Sequence, residues 1–237
     1  SLVRVRITTF PSRSTAATGV IEDVLGRADD ERAAVDVVIA RHKLETAFSE
    51  GALAEARDAV LDEDGALASG YRDLRDRFTF TIDPADARDF DDAVSLEPVE
   101  ADAAPEQAAG ERGTGIRIVD ERGFGAATWR LSVHIADVSH YVGWNSSLDL
   151  DARRRATSVY LVDRVIPMLP DELSGDLCSL KPDEARRTMT ADMYLDDQAR
   201  LVAYELYPAI IRSHARLAYE EAQALLDEPA DDGLSRR

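Results

Sequence analysis

A crowded cluster of carboxylates between two apolar segments constrains the folding of this chain more than any other feature. Five aspartates lie between Asp83 and Asp92, and Arg88 is the single cation among them. Carboxylates this close repel one another and raise one another's pKa values. The flanking segments, FTFTI and AVSLE, have the pattern of short strands. We therefore expect a turn-rich loop, anchored by two strands, that holds its acids in a fixed geometry.

The composition is that of a globular protein with an acidic surface. Hydrophobic residues form 45% of the 237 residues, which allows a substantial core, and the formal net charge is −18. That charge argues against passive binding of nucleic acid over the whole surface, but it leaves room for a local basic groove or a metal-neutralised site. Because Cys178 is the single cysteine, an intrachain disulfide is excluded and a reducing, cytoplasmic location is expected.

Nothing in the sequence indicates a membrane protein. The first segment, SLVRVRITTF, places two arginines within an alternating apolar pattern, which predicts a strand and not a signal peptide. No uninterrupted apolar run reaches the length needed to cross a bilayer. We therefore expect no membrane association.

Strand and helix patterns follow one another without a regular βαβ alternation, which predicts an α+β fold. Strands are predicted over LVRVRITTF, TGVIEDVLG and, because of its VDVVI core, DERAAVDVVIARH. Helices are predicted over GALAEARDAVLDE, SSLDLDARRRATS and RLAYEEAQALLDE. Two hairpins are predicted, one joining GIRIV to TWRLSVHIADV and one joining RTMTADMYLDD to RLVAYELYPAIIRS. Residues 97–114 are predicted to be a flexible surface insertion, and the last residues are predicted to be disordered or cut.

The spacing of the aspartates is compatible with a site for hard divalent cations. Such ions take oxygen ligands, and several convergent carboxylates can hold two ions for in-line displacement at phosphorus. An EF-hand loop is rejected, because a start at Asp86 needs ligands at Arg88 and Phe90, and a start at Asp89 needs glycine where Val94 stands. A solvated acidic loop remains the alternative.

Two other kinds of catalytic site receive less support. HIADVSH spaces His134, Asp137 and His140 evenly, which allows a transition-metal site but fits no standard zinc motif. Structural histidines, bonded to the backbone or to Asp137, are the favoured interpretation. No G-x-S-x-G nucleophile motif is present, so nucleophilic catalysis is disfavoured.

Tyr160 and the arginine run Arg153–Arg155 could contact nucleic acid. Aromatic rings stack on bases, and arginines pair with phosphates. Taken alone, each feature is more often a core position or a solvated helix face than a contact to nucleic acid.

Several blocks, in order, resemble the catalytic (RNB) domain of the RNase II/RNase R exoribonucleases. The blocks are FTFTIDPADARDFDDAVSL, LSVHIADVSHYV, TSVYLVDRVIPMLPDELSGDLCSLKPDEAR and IIRSHARLAYEEA, within about residues 72–228. Two of them are more similar to the RNase R branch than to the RNase II branch. The N-terminal VRITTFPSRSTAATGVIEDVLG resembles the end of the cold-shock OB-type barrel that precedes this domain.

The resemblance implies a Mg²⁺-dependent hydrolase that degrades single-stranded RNA from its 3′ end and releases nucleoside monophosphates. It assigns Asp83, Asp89 and Asp92 mainly to the metal, with Mn²⁺ as an alternative ion. It implies that Asp91 is the residue most critical for cleavage, because its carboxylate would position the attacking water. In the family the tyrosine equivalent to Tyr160 stacks on the 3′-terminal nucleotide.

The sequence departs from the family pattern in several places. Pro84 stands where glycine is usual, and Ala218 stands where relatives often carry the threonine of a capping box. The family's domain also continues beyond this chain with further acidic residues and an arginine, so we expect an incomplete domain with exposed apolar sheet surface. Residues 1–60 are assigned to the end of the cold-shock domain and a linker, and residues 61–237 to the first part of the catalytic domain.

Two functions therefore remain open for the chain itself. The intact aspartate pattern favours a nuclease, whereas the incomplete domain leaves open an inactive fragment or a non-catalytic RNA-binding module that keeps the fold.

Overall fold

The contacts of the computed structural model divide the chain into two compact units. The structure describes residues 1–27, 29–99, 117–120 and 124–227. One unit combines residues 1–53 with 145–169, and the other combines residues 54–144 with 170–237. The domain boundary at residue 60 stays a prediction.

The first unit contains the two strands predicted at the N-terminus. Strands β1 (Leu2–Thr9) and β2 (Thr18–Gly26) pair antiparallel, as expected for the remnant of a β-barrel. The helices and strands that follow in this unit are α1 (Glu31–His42), the start of α2 (Glu50–Asp58), α5 (Ser147–Arg155), β8 (Val159–Tyr160) and β9 (Val165–Ile166).

The strand predicted over DERAAVDVVIARH is wrong, because this segment forms helix α1. The side chain of Asp30 caps its N-terminus by accepting a hydrogen bond from the Arg32 N–H. Lys43 ends the helix in the left-handed conformation, with φ 53°, and its N–H bonds back to the Ala40 carbonyl. Strong signals at both ends outweigh the weak strand preference of the central β-branched residues.

Residues 145–169 are attached to the rest of the first unit by Arg155. Its Nη1 donates to the Glu45 carbonyl oxygen at 2.7 Å, and its Nη2 donates to the Ala47 carbonyl oxygen at 2.7 Å. The guanidinium lies 3.8 Å from the centroid of the Phe48 ring. The arginine at the end of α5 therefore binds a loop more than a hundred residues earlier in the chain.

The second unit is built around one mixed sheet. Its elements are the remainder of α2, then α3 (Glu63–Ala68), β3 (Arg72–Leu74), β4 (Phe80–Asp83), β5 (Asp92–Pro98), β6 (Arg117–Ile118), β7 (Trp129–Ala136), α4 (Val138–Tyr141), β10 (Ala185–Leu195), β11 (Leu201–Arg212), β12 (Ala215–Ala218) and α6 (Tyr219–Asp227). Among the described residues the strand order is β12-β4-β5-β7-β10-β11-β3, with β6 also paired to β11. The pairs β12–β4 and β3–β11 are parallel and the others are antiparallel. This mixed sheet with helices confirms the predicted α+β class.

The hairpin predicted between GIRIV and TWRLSVHIADV is wrong. The short β6 pairs with β11, whereas β7 lies between β5 and β10 and pairs with both along its length. A central strand needs a partner on each side, and the long β5 and β10 satisfy more of its backbone groups than a two-residue strand can. The second predicted hairpin, β10–β11, is confirmed, with the Asp196 N–H donating to the Arg200 carbonyl oxygen across the turn at 3.0 Å.

The central strands bury polar side chains on one face of the sheet. In β7, whose side chains alternate between the two faces, Ser132 and His134 are buried while Ile135 is exposed. Register places further buried residues on the same side, which we call the polar face: Thr81, Ser95, Thr190 and Asp192. Apolar side chains on the opposite face, such as Leu96 and Met189, are exposed. At these positions of β5, β7 and β10 the usual assignment of apolar residues to the interior is therefore reversed, whereas β11 buries apolar residues such as Val202 and Ile210.

Helix α6 begins at Tyr219, directly after the predicted capping position Ala218, whereas Arg216–Ala218, which were predicted as helix, belong to strand β12. Only half of a capping box is present. The Ala218 N–H donates to the Glu221 carboxylate at 2.7 Å, and alanine has no hydroxyl to return a bond to the helix. We expect Ala218→Thr to raise the unfolding free energy by about 1 kcal/mol and the melting temperature by roughly 2–4 °C. Ala218→Val, which matches threonine in shape but lacks the hydroxyl, is the control. Equal melting temperatures for the two variants would contradict the cap.

Part of the predicted insertion and all of the predicted tail fall outside the described residues. Glu97 and Pro98 end strand β5, and residues 100–114 are not described. The tail from residue 228 onward also lies outside the description. No helix in the described part of the chain is long and apolar enough to cross a membrane.

Candidate active site

The aspartate loop, residues 84–91, joins two neighbouring strands of the sheet. Asp83 is the last residue of β4, and Asp92 is the first of β5. Register places Asp83 on the polar face, whereas Asp92, opposite Ile135, lies on the other face. Within the loop the Ala87 N–H donates to the Pro84 carbonyl oxygen at 3.0 Å, so proline is accommodated at this turn. The predicted arrangement, a turn-rich acidic loop between two strands, is confirmed.

The second half of the loop is held by the segment after Cys178. The Phe90 N–H donates to Ser179 Oγ at 3.1 Å, and the Ser179 hydroxyl donates to the Arg88 carbonyl oxygen at 3.0 Å. The Leu180 N–H donates to the Phe90 carbonyl oxygen at 2.8 Å. Phe90 is buried, so the loop is anchored both by its ring and by its backbone. Nothing in the local sequence around Ser179 indicates this role, because its partners lie about ninety residues earlier in the chain.

The four aspartates of the pattern influence one another electrostatically. Burial raises the pKa of Asp83, and the charges of Asp92 and Asp89 raise it further, against the opposing effects of Thr81 and Arg216. Desolvation raises the pKa of Asp91, and the charges of Asp89, Asp92 and Asp83 add to the shift. The structure therefore brings these four carboxylates into one electrostatic neighbourhood. Asp86, which lies off the pattern, is exposed on the loop.

The carboxylates partly satisfy what a cation site requires. Asp83 Oδ2 is buried and accepts no hydrogen bond from the described residues, which is costly unless a cation or another donor is supplied. Mutual repulsion among the four acids would also be relieved by a cation. Within the described parts of the chain, however, no three Asp, Glu, His or Cys side chains are gathered closely enough to form a metal site. The residues fit a divalent cation chemically, but they do not form a closed cage.

The alternative site in HIADVSH is not formed. Both ring nitrogens of His134 are engaged, Nε2 with Ser95 Oγ at 2.9 Å and Nδ1 with Thr190 Oγ1 at 2.8 Å. Asp137 accepts hydrogen bonds from the Tyr71 hydroxyl at 2.5 Å and from Ser139 at 2.8 Å. His134 therefore has no ring nitrogen available for a metal and has a structural role. Its partners are the side chains of Ser95 and Thr190, however, and not the backbone or Asp137 as predicted.

Because His134 is buried and neutral, the stability of the protein should depend on pH. Burial, followed by the charge of Arg77, lowers the pKa of His134 to about 4. In the unfolded chain this imidazole gains a proton near pH 6.5, whereas in the folded protein it stays neutral until the pH is near 4. The contribution of His134 to the unfolding free energy is therefore complete above pH 6.5 and is lost as the pH falls toward 4. From this histidine we expect a loss of about 2 kcal/mol in unfolding free energy between pH 7 and pH 5.

The measurement is urea unfolding at the two pH values. His134→Gln should reduce the difference between them, whereas the exposed His42→Gln should leave it unchanged. An equal pH dependence in wild type and His134→Gln would show that His134 does not titrate as described.

The polar face also carries a buried ion-pair network that was not predicted from the sequence. Asp192 accepts hydrogen bonds from Ser132 Oγ at 2.6 Å, from the Tyr207 hydroxyl at 2.7 Å and from Arg77 Nη1 at 3.2 Å. Glu205 forms a salt bridge with Arg72 at 2.5 Å on the neighbouring strands. The only local signal was the occurrence of polar residues at alternate positions of the strands.

Tyr160 belongs to the first unit, and the four aspartates belong to the second. It ends the short strand β8, which pairs with β9 in a hairpin, and its side chain is 69% exposed. The exposure of this ring on a hairpin is compatible with the stacking role implied by the resemblance.

Comparison with known proteins agrees with this architecture. Residues 71–236 match the family model of the RNB domain, and residues 1–49 match that of a cold shock domain. Ribonuclease R of Aquifex aeolicus (strain VF5) is 37% identical over 225 residues, covering 95% of this chain and 28% of the relative. Ribonuclease R of Escherichia coli (strain K12) is 39% identical over 233 residues, covering 97% of this chain and 25% of the relative. The chain thus spans about a quarter of the length of these relatives.

Solved structures show the same similarity. Mycoplasma genitalium RNase R in complex with ribose methylated single-stranded RNA matches with a TM-score of 0.79 and 26% identity, over 98% of this chain and 32% of that one. Yeast Ssd1, described as a pseudonuclease, matches with a TM-score of 0.67 over 97% of this chain and 26% of that one, and its 17% identity shows a shared fold alone. Since the RNB model covers most of its residues, this chain belongs to the RNB-domain family.

Proposed function

We propose that this chain carries the cation-binding part of the active site of a 3′→5′ exoribonuclease that acts in the cytoplasm. Its substrate would be RNA with an accessible single-stranded 3′ end, and its product would be nucleoside monophosphates. The observation that supports this most strongly is the cluster of four mutually repelling carboxylates around the buried, unbonded Asp83 Oδ2. The similarity to ribonuclease R relatives, one of which was solved with single-stranded RNA, supports the choice of substrate.

In this proposal Asp83, Asp89 and Asp92 would hold Mg²⁺, or Mn²⁺ in its place. Once bound, such an ion supplies charge stabilisation at the scissile phosphate and makes a water molecule more acidic. Carboxylate oxygens are the appropriate ligands for these hard cations. The fixed loop keeps the three carboxylates from separating under their mutual repulsion.

Asp91 would orient the attacking water by accepting a hydrogen bond at a carboxylate oxygen. Desolvation and the neighbouring charges raise the pKa of Asp91, and a higher proton affinity suits a carboxylate that accepts a hydrogen bond from water. Tyr160 would stack on the 3′-terminal base, which holds the end of the strand without selecting its sequence.

Incubation with two RNAs tests the proposal. One RNA has a free 3′ end and the other a blocked 3′ end, and each is incubated with Mg²⁺ or with EDTA. We expect monophosphate release only from the free end and only with Mg²⁺. Release from the blocked RNA, or release in EDTA, would contradict the proposal.

A non-catalytic RNA-binding module is the second candidate. It is supported by the absence of a closed metal site in the described residues and by the pseudonuclease of the same fold. This candidate predicts saturable RNA binding with no monophosphate release at any concentration of Mg²⁺.

A further inference from the structure

The first half of the aspartate loop is held by an arginine from a distant part of the sequence. Arg216 Nη2 donates to the carbonyl oxygen of Ala85 at 2.7 Å and to that of Pro84 at 3.0 Å. Both acceptors are main-chain oxygens directly after Asp83. A charged donor makes these bonds stronger than ordinary amide hydrogen bonds.

The position of Arg216 is set by strand pairing and by contact with a buried ring. Strand β12 runs parallel to β4, with Arg216 opposite Thr81 and Ala218 opposite Asp83. The guanidinium lies 5.0 Å from the centroid of the Phe90 ring, at the other end of the loop. A single side chain therefore contacts both the start and the end of the loop.

The charge of Arg216 also acts on the site itself. It lowers the pKa of Asp83, against the larger effect of burial, and thus favours the ionised carboxylate. The main effect of the contacts, however, is to fix the backbone that follows Asp83. Ser179 fixes the second half of the loop in the same way. The hydrogen bonds of Arg216 and Ser179 together restrain the loop at both ends.

We propose that Arg216 is a positioning residue of the aspartate site, which holds Pro84 and Ala85 so that the carboxylates before and after them stay in one neighbourhood. This inference rests on the proposed function in that the carboxylates are taken as cation ligands. Arg216 touches neither substrate nor the reacting atoms in this assignment and acts through the loop.

Amide hydrogen exchange in the metal-free protein is the first test. Arg216→Met keeps the length of the side chain but removes the charge and the donors. We expect the Ala87 amide, which closes the turn onto Pro84, to exchange about tenfold faster or more in this variant. Amides in β10 and β11 should be unchanged, which excludes general unfolding. An unchanged rate at Ala87 would overturn the inference, whether or not the protein binds metal.

The affinity for Mn²⁺, measured by electron paramagnetic resonance, is the second test. Removing a nearby positive charge should by itself tighten cation binding. If Arg216 positions the ligands, Arg216→Met should instead weaken binding about tenfold, and Arg216→Lys, with its charge but without the planar guanidinium, should fall between that variant and wild type. The exposed Arg212→Met is the matched control and should bind as wild type does.

The results of these two tests distinguish the proposed cation site from the positioning role of Arg216. A wild-type protein that does not bind Mn²⁺ would contradict the proposed cation site, while the exchange rate at Ala87 would still decide the role of Arg216. Tighter Mn²⁺ binding by Arg216→Met would show an electrostatic role and overturn the positioning role.

Discussion

Replacing Asp91 with asparagine should reduce RNA hydrolysis roughly a thousandfold and leave RNA affinity within about twofold, because several kcal/mol of transition-state stabilisation would be lost. Asparagine keeps the shape of the side chain but cannot accept a proton from water. It also removes a carboxylate whose charged form is disfavoured by desolvation and by the charges of Asp89, Asp92 and Asp83. Without divalent cations, the variant should therefore melt at a higher temperature than wild type.

Three measurements check this result. Monophosphate release and RNA binding are measured in parallel, and melting temperatures are measured with and without Mg²⁺, which should stabilise Asp91→Asn less than wild type. Asp86→Asn, on the same loop but off the pattern, is the control and should behave as wild type. Turnover at the wild-type rate in Asp91→Asn would remove Asp91 from the proposed mechanism.

Replacing Asp192 with alanine should produce the largest loss of stability, about 3–5 kcal/mol of unfolding free energy. Asp192 is 1% exposed and accepts hydrogen bonds from Ser132, Arg77 and Tyr207. Its removal leaves the largely buried Arg77 without its nearest carboxylate, although Glu97 remains at 3.4 Å. A buried charge that loses its partner costs far more than an exposed one.

Urea unfolding checks the second result. Asp192→Asn, which still accepts hydrogen bonds but carries no charge, should lose less stability than Asp192→Ala. The matched control is Asp29→Ala, which breaks an exposed pair with Arg27 and should change stability little. A similar loss in Asp192→Ala and Asp29→Ala would show that the network on the polar face contributes little.

Elements with strong local patterns could be predicted from the sequence. The strands Leu2–Thr9 and Thr18–Gly26, the helix Ser147–Arg155, and the hairpin of β10 and β11 all form as expected. In each of them the local turn, cap or alternation agrees with the tertiary structure. The aspartate loop was predictable for the same reason, since its flanking strands are adjacent in sequence.

The errors arose where local signals conflicted or where partners were distant. In α1 the capping residues Asp30 and Lys43, which lie outside the apolar core, decide the outcome against the strand preference of VDVVI. The partners of β7 lie on either side of it in the sheet, and the adjacent β6 was the wrong choice. The burial of Ser132 and His134 was also unforeseen, because alternation shows that two faces differ but not which face is enclosed.

The sequence by itself determined the family, through the order of several specific blocks, and it determined the four aspartates by their spacing. Only the tertiary structure decided what holds those aspartates in place. Ser179 and Arg216 reach the loop from 91 and 132 residues away. A hydrogen bond between a side chain and a distant carbonyl oxygen leaves no trace in local periodicity, because it depends on how strands pair and not on the residues next to it.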